Sequence, residues 1–145
     1  GYYKNEQATN DTFTEDGWLR TGDLGVIDKD DFIYIKGRCK TMLLGSSGQN
    51  IYPEEIEAKI NNMPYVLESL VLQKDTRLIA LVCPDFEAVD ADTLTQEQLE
   101  VVMEDNRKLV NAELAAYEQI NELRIFNHEF EKTPKKSIKR FLYEV

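Results

Sequence analysis

The sequence predicts an α+β fold, in which a small domain with a three-stranded antiparallel sheet flanked by helices follows a β-hairpin. Two pairs of short runs rich in β-branched and aromatic residues, at 18–36 and 65–83, are typical of antiparallel hairpins. One long run, 95–117, repeats apolar residues at helical spacing. With 42% hydrophobic and 30% charged residues, the 145-residue chain has the composition of a globular protein. Its length suits one modest domain, or one domain and part of another.

The first hairpin is expected after a polar start. Residues 1–16 hold few apolar side chains, and the turn-forming residues Asn10-Asp11-Thr12 predict a turn. Residues 18–27 then form a strand candidate, Asp28–Asp31 a turn, and 32–36 a return strand rich in β-branched and aromatic residues. A hairpin is therefore the expected unit.

The stretch from Gly37 to Glu57 combines a basic turn, a short apolar strand, a glycine- and serine-rich loop and a helix start. Pro53 suits the first turn of a helix that we expect to reach about Met63. An ordinary hairpin-like turn followed by a capped helix would explain the same residues. Alternatively, the loop presents its flexible backbone to a ligand, since glycine permits positive φ and close approach; its candidate residues are Gly45, Ser46, Ser47 and Gly48.

The second hairpin and the remaining elements follow from periodicity. The strand 65–73 is expected to place Val66, Leu70 and Leu72 on one face, and its partner 77–83 ends at a proline.

Beyond a polar connection, Thr95-Gln96-Glu97-Gln98 predicts a capping box. The long helix that it opens is expected to carry an apolar core stripe as far as Tyr117. Residues 122–127 form the third strand candidate. Ser137 is expected to cap a short terminal helix.

Charge and composition exclude several classes of function. A net charge of −10 argues against general nucleic-acid binding. No apolar run approaches the length of a membrane span and the start resembles no signal peptide, so a soluble, cytoplasmic protein is expected. Cys39 and Cys83 lack metal or redox spacing, and the single histidine, His128, has no nucleophile or metal partner in the sequence; no metal site is predicted.

Two features remain as candidates for binding chemistry. Asp23 follows a glycine on a polar stretch of strand, and its two carboxylate oxygens suit the two hydroxyls of a ribose; a solvated aspartate at a strand irregularity is the alternative. Near the end of the chain, five cations crowd into one segment and would attract a phosphate-bearing small molecule, unless they form only a solvated basic tail: Lys132, Lys135, Lys136, Lys139 and Arg140.

Four stretches resemble signatures of the acyl-adenylate-forming (AMP-binding) superfamily, and most closely those of its long-chain fatty-acid–CoA ligases. Residues 1–5 are similar to G-Y-x-x-N, and 17–23 to G-W-x-x-T-G-D. Residues 37–57 resemble G-R-x-K-D-x-I-x-x-x-G-x-x-I-x-P-x-E-I-E. Residues 130–142 resemble P-K-T-x-T-G-K-I-x-R-x-x-L, in the long-chain variant K-T-P-T-K-K-I-K-R.

The resemblance implies a role for several residues. Asp23 would bind the ATP ribose, and Arg38 would be the second nucleotide contact. Lys40 would be the hinge about which a mobile domain, 38–145, rotates between two half-reactions. Residues 1–37 would be the last strands of a larger N-terminal domain, and the loop at 45–48 would line the pantetheine passage.

The superfamily lysine that bridges carboxylate and α-phosphate falls on Ser137 when Ile138 and Arg140 are aligned. Three explanations are open. Lys136 does this work after a one-residue shift, Lys135 or Lys139 substitutes, or adenylation is impaired. We favour Lys136.

The resemblance implies part of an ATP-dependent long-chain fatty-acid–CoA ligase, inactive alone. Such an enzyme forms an acyl-adenylate and then transfers the acyl group to CoA. ATP, Mg²⁺ and CoA would be bound mostly by the missing large domain, which would be the chain's partner. A peripheral membrane contact of the full enzyme is compatible with this class. The alternatives are a related adenylating enzyme with another acid or acceptor, and a degenerate nucleotide- or CoA-binding or interaction module.

Overall fold

In a computed structural model that describes residues 1–145, the chain divides into two units, Gly1–Thr41 and Met42–Val145. The first unit contains helix α1 (Glu6–Thr12) and the antiparallel strands β1 (Asp23–Ile27) and β2 (Ile33–Arg38). The turn predicted at Asn10-Asp11-Thr12 is wrong, because these residues lie in α1. The Asn5 side chain caps α1 by accepting a hydrogen bond from the backbone N–H of Ala8, so local capping favours helix over turn.

The predicted first hairpin is confirmed, with a shorter first strand. Residues 18–22 lie outside β1, and Leu19 makes only an isolated bridge to Phe13. Apolar side chains are exposed on both faces of the hairpin: neighbouring Ile27 and Val26 are 65% and 52% exposed, and Ile33 is 67% exposed. Successive strand residues point to opposite faces, so neither face of this hairpin is packed into a core within this unit.

The second unit contains the remaining elements. Their order is β3 (Leu43–Leu44), β4 (Asn50–Ile51), α2 (Pro53–Ile60), β5 (Val66–Lys74), β6 (Arg77–Pro84), α3 (Phe86–Ala91), α4 (Gln96–Glu113) and β7 (Ile120–Ile125), with 3₁₀ turns at Ala116–Glu118 and Arg140–Leu142. Strands β3 and β4 form a small antiparallel hairpin. Strands β5, β6 and β7 form the main sheet in that order.

The main sheet is mixed, so the prediction of a fully antiparallel sheet is wrong in one pairing. Strands β5 and β6 are antiparallel, whereas β6 and β7 are parallel. The connection between β6 and β7 explains their parallel pairing, because parallel neighbouring strands must be joined by a long crossover, usually a helix. Helix α4 has 18 residues and is about 27 Å long, enough to run back along the eight residues of β6.

The core lies on both faces of this sheet. One face packs with α2 and α4; its buried residues include Ile56, Ile60, Val71, Ala80, Val82, Met103 and Val110. The other packs with the C-terminal segment; its buried residues are Leu70, Leu81, Cys83 and Phe130. The expectation that Val66 shares the face of Leu70 and Leu72 is wrong: Val66 packs with the first cluster, and a register irregularity between Val66 and Glu68 interrupts the alternation.

The predicted helices differ from the observed ones at their ends. Helix α2 ends at Ile60 rather than near Met63, and α4 ends at Glu113, which leaves Tyr117 exposed in a 3₁₀ turn instead of in the core. The predicted polar connection contains helix α3, capped by the Asp85 side chain. The capping box of α4 at Thr95 and Gln98 is confirmed. None of the helices is long and apolar enough to span a membrane.

Candidate functional site

The hairpin of the first unit brings Asp23 and Arg38 together. They are register partners across β1 and β2, and Arg38 Nε lies 2.8 Å from Asp23 Oδ1. Arg38 Nη1 also donates to the carbonyl of Thr21, and the Asp23 amide donates to Thr21 Oγ1. The side chains of Arg38 and Asp23 are 64% and 32% exposed, so this is a solvent-facing ion pair. The two residues expected to contact a nucleotide are therefore adjacent.

Lys40 lies in the turn that follows β2. The amide and hydroxyl of Thr41 both donate to the carbonyl of Arg38. Lys40 lies between these two residues in the sequence, and its side chain is exposed. A concave surface of the first unit is lined in part by three cations, Arg20, Arg38 and Lys40. The expected hinge residue thus lies one residue before the last residue of the first unit, Thr41.

The loop at 45–48 connects β3 and β4 as a tight hairpin turn. The Gly45 amide donates to the carbonyl of Gln49, and the Gly48 amide donates to that of Gly45. Gly48 has a φ of +82°, which glycine adopts without strain. Gly45 is buried, and a Cβ there would lie 3.3 Å from the Gln49 carbonyl oxygen. Ser46 and Ser47 are exposed at the tip, so the loop offers backbone and hydroxyl groups to solvent.

The C-terminal segment forms a second tight hairpin, which we name the terminal hairpin (131–139). Lys132 and Ile138 form an antiparallel bridge, and the Thr133 amide donates to the Ser137 carbonyl. At the tip, the Lys136 amide donates to the Thr133 carbonyl, which closes a turn over Pro134 and Lys135. Because Ser137 is part of this hairpin, the prediction that it caps a helix is wrong; the following 3₁₀ turn begins at Arg140.

The lysines of the terminal hairpin differ in their partners. Lys132 and Lys139 are paired with carboxylates, of Glu68 at 2.6 Å and Glu131 at 2.5 Å. Lys135 and Lys136 are exposed at the tip and have no such carboxylate partner. Lys136 has a φ of +61°, in the left-handed region, at the position where the superfamily pattern has glycine. The tip therefore presents two lysine side chains to solvent, followed directly by Ser137.

Two buried glutamates contact this segment, and neither contact was predicted from the sequence. Glu57 and Glu68 are each only 8% exposed. Burial raises the pKa of Glu57 from 4.5 to about 7, although the Arg140 guanidinium and the Val71 amide oppose the shift. The Glu68 carboxylate raises the pKa of Lys132 through a hydrogen bond. A signal for Glu68 was present, because it alternates with Leu70 and Leu72 along an otherwise apolar strand face.

The remaining chemically reactive side chains form no second site. His128 is exposed, with its ring 6.1 Å from that of Phe126 in an edge-to-face contact. Cys39 is exposed, whereas Cys83 is buried and desolvation raises its pKa to about 11, so its thiolate is disfavoured. The described residues contain no group of three or more histidine, cysteine, aspartate or glutamate side chains placed to hold a metal ion.

Residues 40–144, which include the loop, the sheet and the terminal hairpin, match the family model of the AMP-binding enzyme C-terminal domain. The chain belongs to this family. Over 160 aligned residues it is 32% identical to the long-chain-fatty-acid–CoA ligase FadD15 of Mycobacterium tuberculosis, covering 97% of this chain and 26% of that protein. It is 40% identical over 99 residues to the 2-succinylbenzoate–CoA ligase of Bacillus cytotoxicus, covering 68% of this chain and 20% of that one.

AMP-binding enzymes of known structure share the fold. The adenylation domain of a carboxylate reductase from Mycobacterium chelonae superposes with a TM-score of 0.86 and 26% identity, covering 98% of this chain and 24% of that one. The chain thus spans about a quarter of these proteins. The two curated relatives described above are acid–CoA ligases that act on different acids, a long-chain fatty acid in one and 2-succinylbenzoate in the other.

Proposed function

We propose that this chain is the mobile, lysine-bearing part of an ATP-dependent acid–CoA ligase. The enzyme would first join a carboxylic acid to AMP with release of pyrophosphate, and then transfer the acyl group to the thiol of CoA. The observation that carries the proposal is the terminal hairpin, in which a C-terminal domain of the AMP-binding family presents Lys135 and Lys136 at an exposed tip.

A lysine suits the first half-reaction for an electrostatic reason. A carboxylate oxygen attacks the α-phosphorus while the bond to the β-phosphate breaks, and pyrophosphate leaves with the electron pair. Both reactants are anions, so a compact ammonium group lowers their repulsion and stabilises the charge that develops on the phosphate. We assign this role to Lys136, with Lys135 and Lys139 as the alternatives; Lys139 is already paired with Glu131.

The nucleotide would be held in part by the first unit. Asp23 can accept hydrogen bonds from both ribose hydroxyls, and Arg38 would contact the nucleotide beside it. Arg38 now engages Oδ1 of Asp23, so nucleotide binding would require this exposed pair to rearrange. Mg²⁺ would be bound mostly by the larger domain, and we assign no step to it here.

The second half-reaction would use the loop at 45–48. In this proposal the small domain rotates about Lys40 after the adenylate has formed, and the loop backbone then lines the passage of the pantetheine arm. A gating motion of this kind lets one domain supply different groups to two steps. The short hairpin turn and the glycines at both of its ends suit close contact with a ligand.

A larger adenylating domain would be the partner of this chain. The hairpin β1–β2 exposes apolar side chains on both faces, and exposed apolar surface of this kind favours burial against further structure. The chain also spans only about a quarter of its relatives, and the acyl pocket would belong to the larger domain. We propose a long-chain fatty acid as the substrate, because one relative aligned over nearly the whole chain, FadD15, is a long-chain-fatty-acid–CoA ligase. Another acid is the alternative.

A panel experiment tests the proposal. ATP–pyrophosphate exchange would be measured in the full-length protein that contains these residues, with long-chain, medium-chain and aromatic acids. Exchange that depends on the acid supports a ligase, and the preferred acid identifies the substrate class. Ser137 at the lysine position favours a second candidate, a non-catalytic nucleotide- or CoA-binding module. Binding of AMP or CoA without exchange for any acid would favour that candidate instead.

A further inference from the structure

The terminal hairpin is anchored to the main sheet at both of its ends by buried carboxylates. Glu68, on β5, contacts the residues where the hairpin begins, and Glu57, on α2, contacts the arginine where it ends. An isolated two-stranded hairpin is marginally stable in water. The position of its tip therefore depends on these anchors.

At the first end, Glu68 binds both backbone and side chain. Its Oε1 accepts a hydrogen bond of 2.8 Å from the Phe130 amide, and its Oε2 lies 2.6 Å from Lys132 Nζ. Phe130 is 3% exposed and stacks on Phe126 with ring centroids 5.0 Å apart. The Glu131 amide in turn donates to the Tyr143 hydroxyl at 2.7 Å. Because a buried carboxylate is costly without partners, this arrangement holds residues 130–132 in one position.

At the second end, Glu57 and Arg140 both hydrogen-bond to backbone groups on the open edge of the sheet. Strand β5 is the outer strand of the sheet, and Val71 stands opposite Ala80 in its register. The Val71 amide donates to Glu57 Oε1 at 2.6 Å, and Arg140 Nη1 donates to the Val71 carbonyl at 3.2 Å. Arg140 Nη2 lies 2.5 Å from Glu57 Oε2, and its side chain is 22% exposed. Arg140 is thereby held at the sheet edge, one residue after the terminal hairpin.

From these contacts we infer that Glu57 and Glu68 are positioning residues for the adenylation step, which act by fixing the tip of the terminal hairpin and so the lysine that it carries. This inference rests on the proposed function. Neither glutamate lies at the tip, so each acts through another residue, Glu57 through Arg140 and Glu68 through Phe130 and Lys132. A misplacement of about 1 Å can cost about a hundredfold in rate, so loosening either anchor should slow the step that uses the lysine.

The anchoring itself can be tested on this chain by a measurement that requires no enzymatic activity. Hydrogen–deuterium exchange would be measured at a pH of about 8, above the Glu57 pKa of about 7, in Glu57→Gln and Glu68→Gln. We expect the Thr133, Lys136 and Lys139 amides to exchange about tenfold faster or more, since they close the terminal hairpin. Glu113→Gln, which removes an exposed pair with Lys59 on α2, is the matched control and should leave these amides unchanged.

Arg140→Gln provides a second route to the same contact if Glu57→Gln does not fold. It should give the same fast exchange, and the effect of the Glu57→Gln/Arg140→Gln double variant should be smaller than the sum of the two single effects, because the pair between these residues is lost in all three. If the amides of the terminal hairpin exchange at the wild-type rate in Glu68→Gln and in the folded variants at Glu57 or Arg140, the inference is overturned. This outcome does not depend on the enzymatic activity.

The full-length protein gives a second, kinetic readout. Glu57→Gln and Glu68→Gln should lower the maximal rate of ATP–pyrophosphate exchange about tenfold to a hundredfold, with little change in KM for ATP. Thioester formation from supplied acyl-adenylate should change less than about threefold, since it does not need the lysine. Equal loss in both half-reactions would indicate general destabilisation and overturn the positioning role. If the unaltered protein shows no exchange with any acid, the proposed function fails, and the amide measurement alone decides whether the anchors exist.

Discussion

Glu57 and Arg140, 83 residues apart in the sequence, form one ion pair at the outer edge of the main sheet. The pair joins the helix that follows the 45–48 loop to the segment that follows the terminal hairpin. Both segments carry residues that we propose to act in different half-reactions. The contact therefore connects the two candidate sites of the second unit through a buried carboxylate and a partly buried guanidinium group.

The buried Glu57 should make stability depend on pH. Its folded-state pKa is raised to about 7 from 4.5, with Arg140 and Glu54 as the neighbouring charges. Between these values the unfolded chain has already released the proton that the folded chain still holds, so stability falls as pH rises across this window. We expect this group to contribute a loss on the order of 3 kcal/mol. Urea unfolding of the wild-type chain and Glu57→Gln at several pH values measures it; parallel pH dependences would contradict the raised pKa.

Lys136→Gly should stabilise the fold although it removes the lysine that we propose to act in catalysis. Lys136 has a φ of +61°, a conformation that costs a residue with a Cβ about 1 kcal/mol relative to glycine. The variant should therefore unfold at a free energy about 1 kcal/mol higher than the wild-type chain. Denaturant unfolding measures this, with Lys135→Gly, beside it in the same turn, as the control that gains nothing. A destabilised Lys136→Gly would show that the lysine side chain makes stabilising contacts.

Ser137→Lys tests which explanation of the missing family lysine is correct. If Lys136 already supplies the ammonium group, an added lysine at the next position should change ATP–pyrophosphate exchange less than about threefold. Exchange in the full-length protein before and after the substitution decides the matter. A large gain from a near-zero starting level would mean that adenylation is impaired in the natural sequence, and it would favour the non-catalytic module.

Lys40→Pro should affect the two half-reactions unequally. Proline fixes φ near −65° and restricts the preceding residue, so it should block rotation at this position without removing a contact of the nucleotide. We expect adenylation to be retained and thioester formation to be abolished. Lys40→Ala, which removes the side chain but leaves the backbone free to rotate, should preserve both. Equal loss of the two activities in the proline variant would contradict the hinge assignment.

Local patterns explain which parts of the fold could be predicted. The β5–β6 hairpin, the capping box at Thr95 and the helix that starts at Pro53 depend on residues close in sequence, and all three are confirmed. The direction of β7 depends on the path of the connection that precedes it. The sequence contained that connection, but alternation within a strand does not indicate its orientation.

The candidate site was predictable to the extent that its residues lie in spaced motifs. Asp23 and Arg38 could be selected individually, but their ion pair depends on the register of β1 and β2. Glu57 was part of a motif, and its partly buried contact with Arg140 is a tertiary feature without a local signature. The terminal hairpin was missed because Ser137 suits both a helix cap and a turn, and the packing of Phe130 favours the latter.

The most direct test of the central claim is ATP–pyrophosphate exchange in the full-length protein and in its Lys136→Gly variant, with the preferred acid. We expect the wild-type protein to catalyse exchange and the variant to lose it by about a hundredfold or more while remaining folded. Lys135→Ala, at the same hairpin tip, should retain most of the activity. Full exchange in Lys136→Gly, or its loss in Lys135→Ala alone, would contradict the assignment of the catalytic lysine.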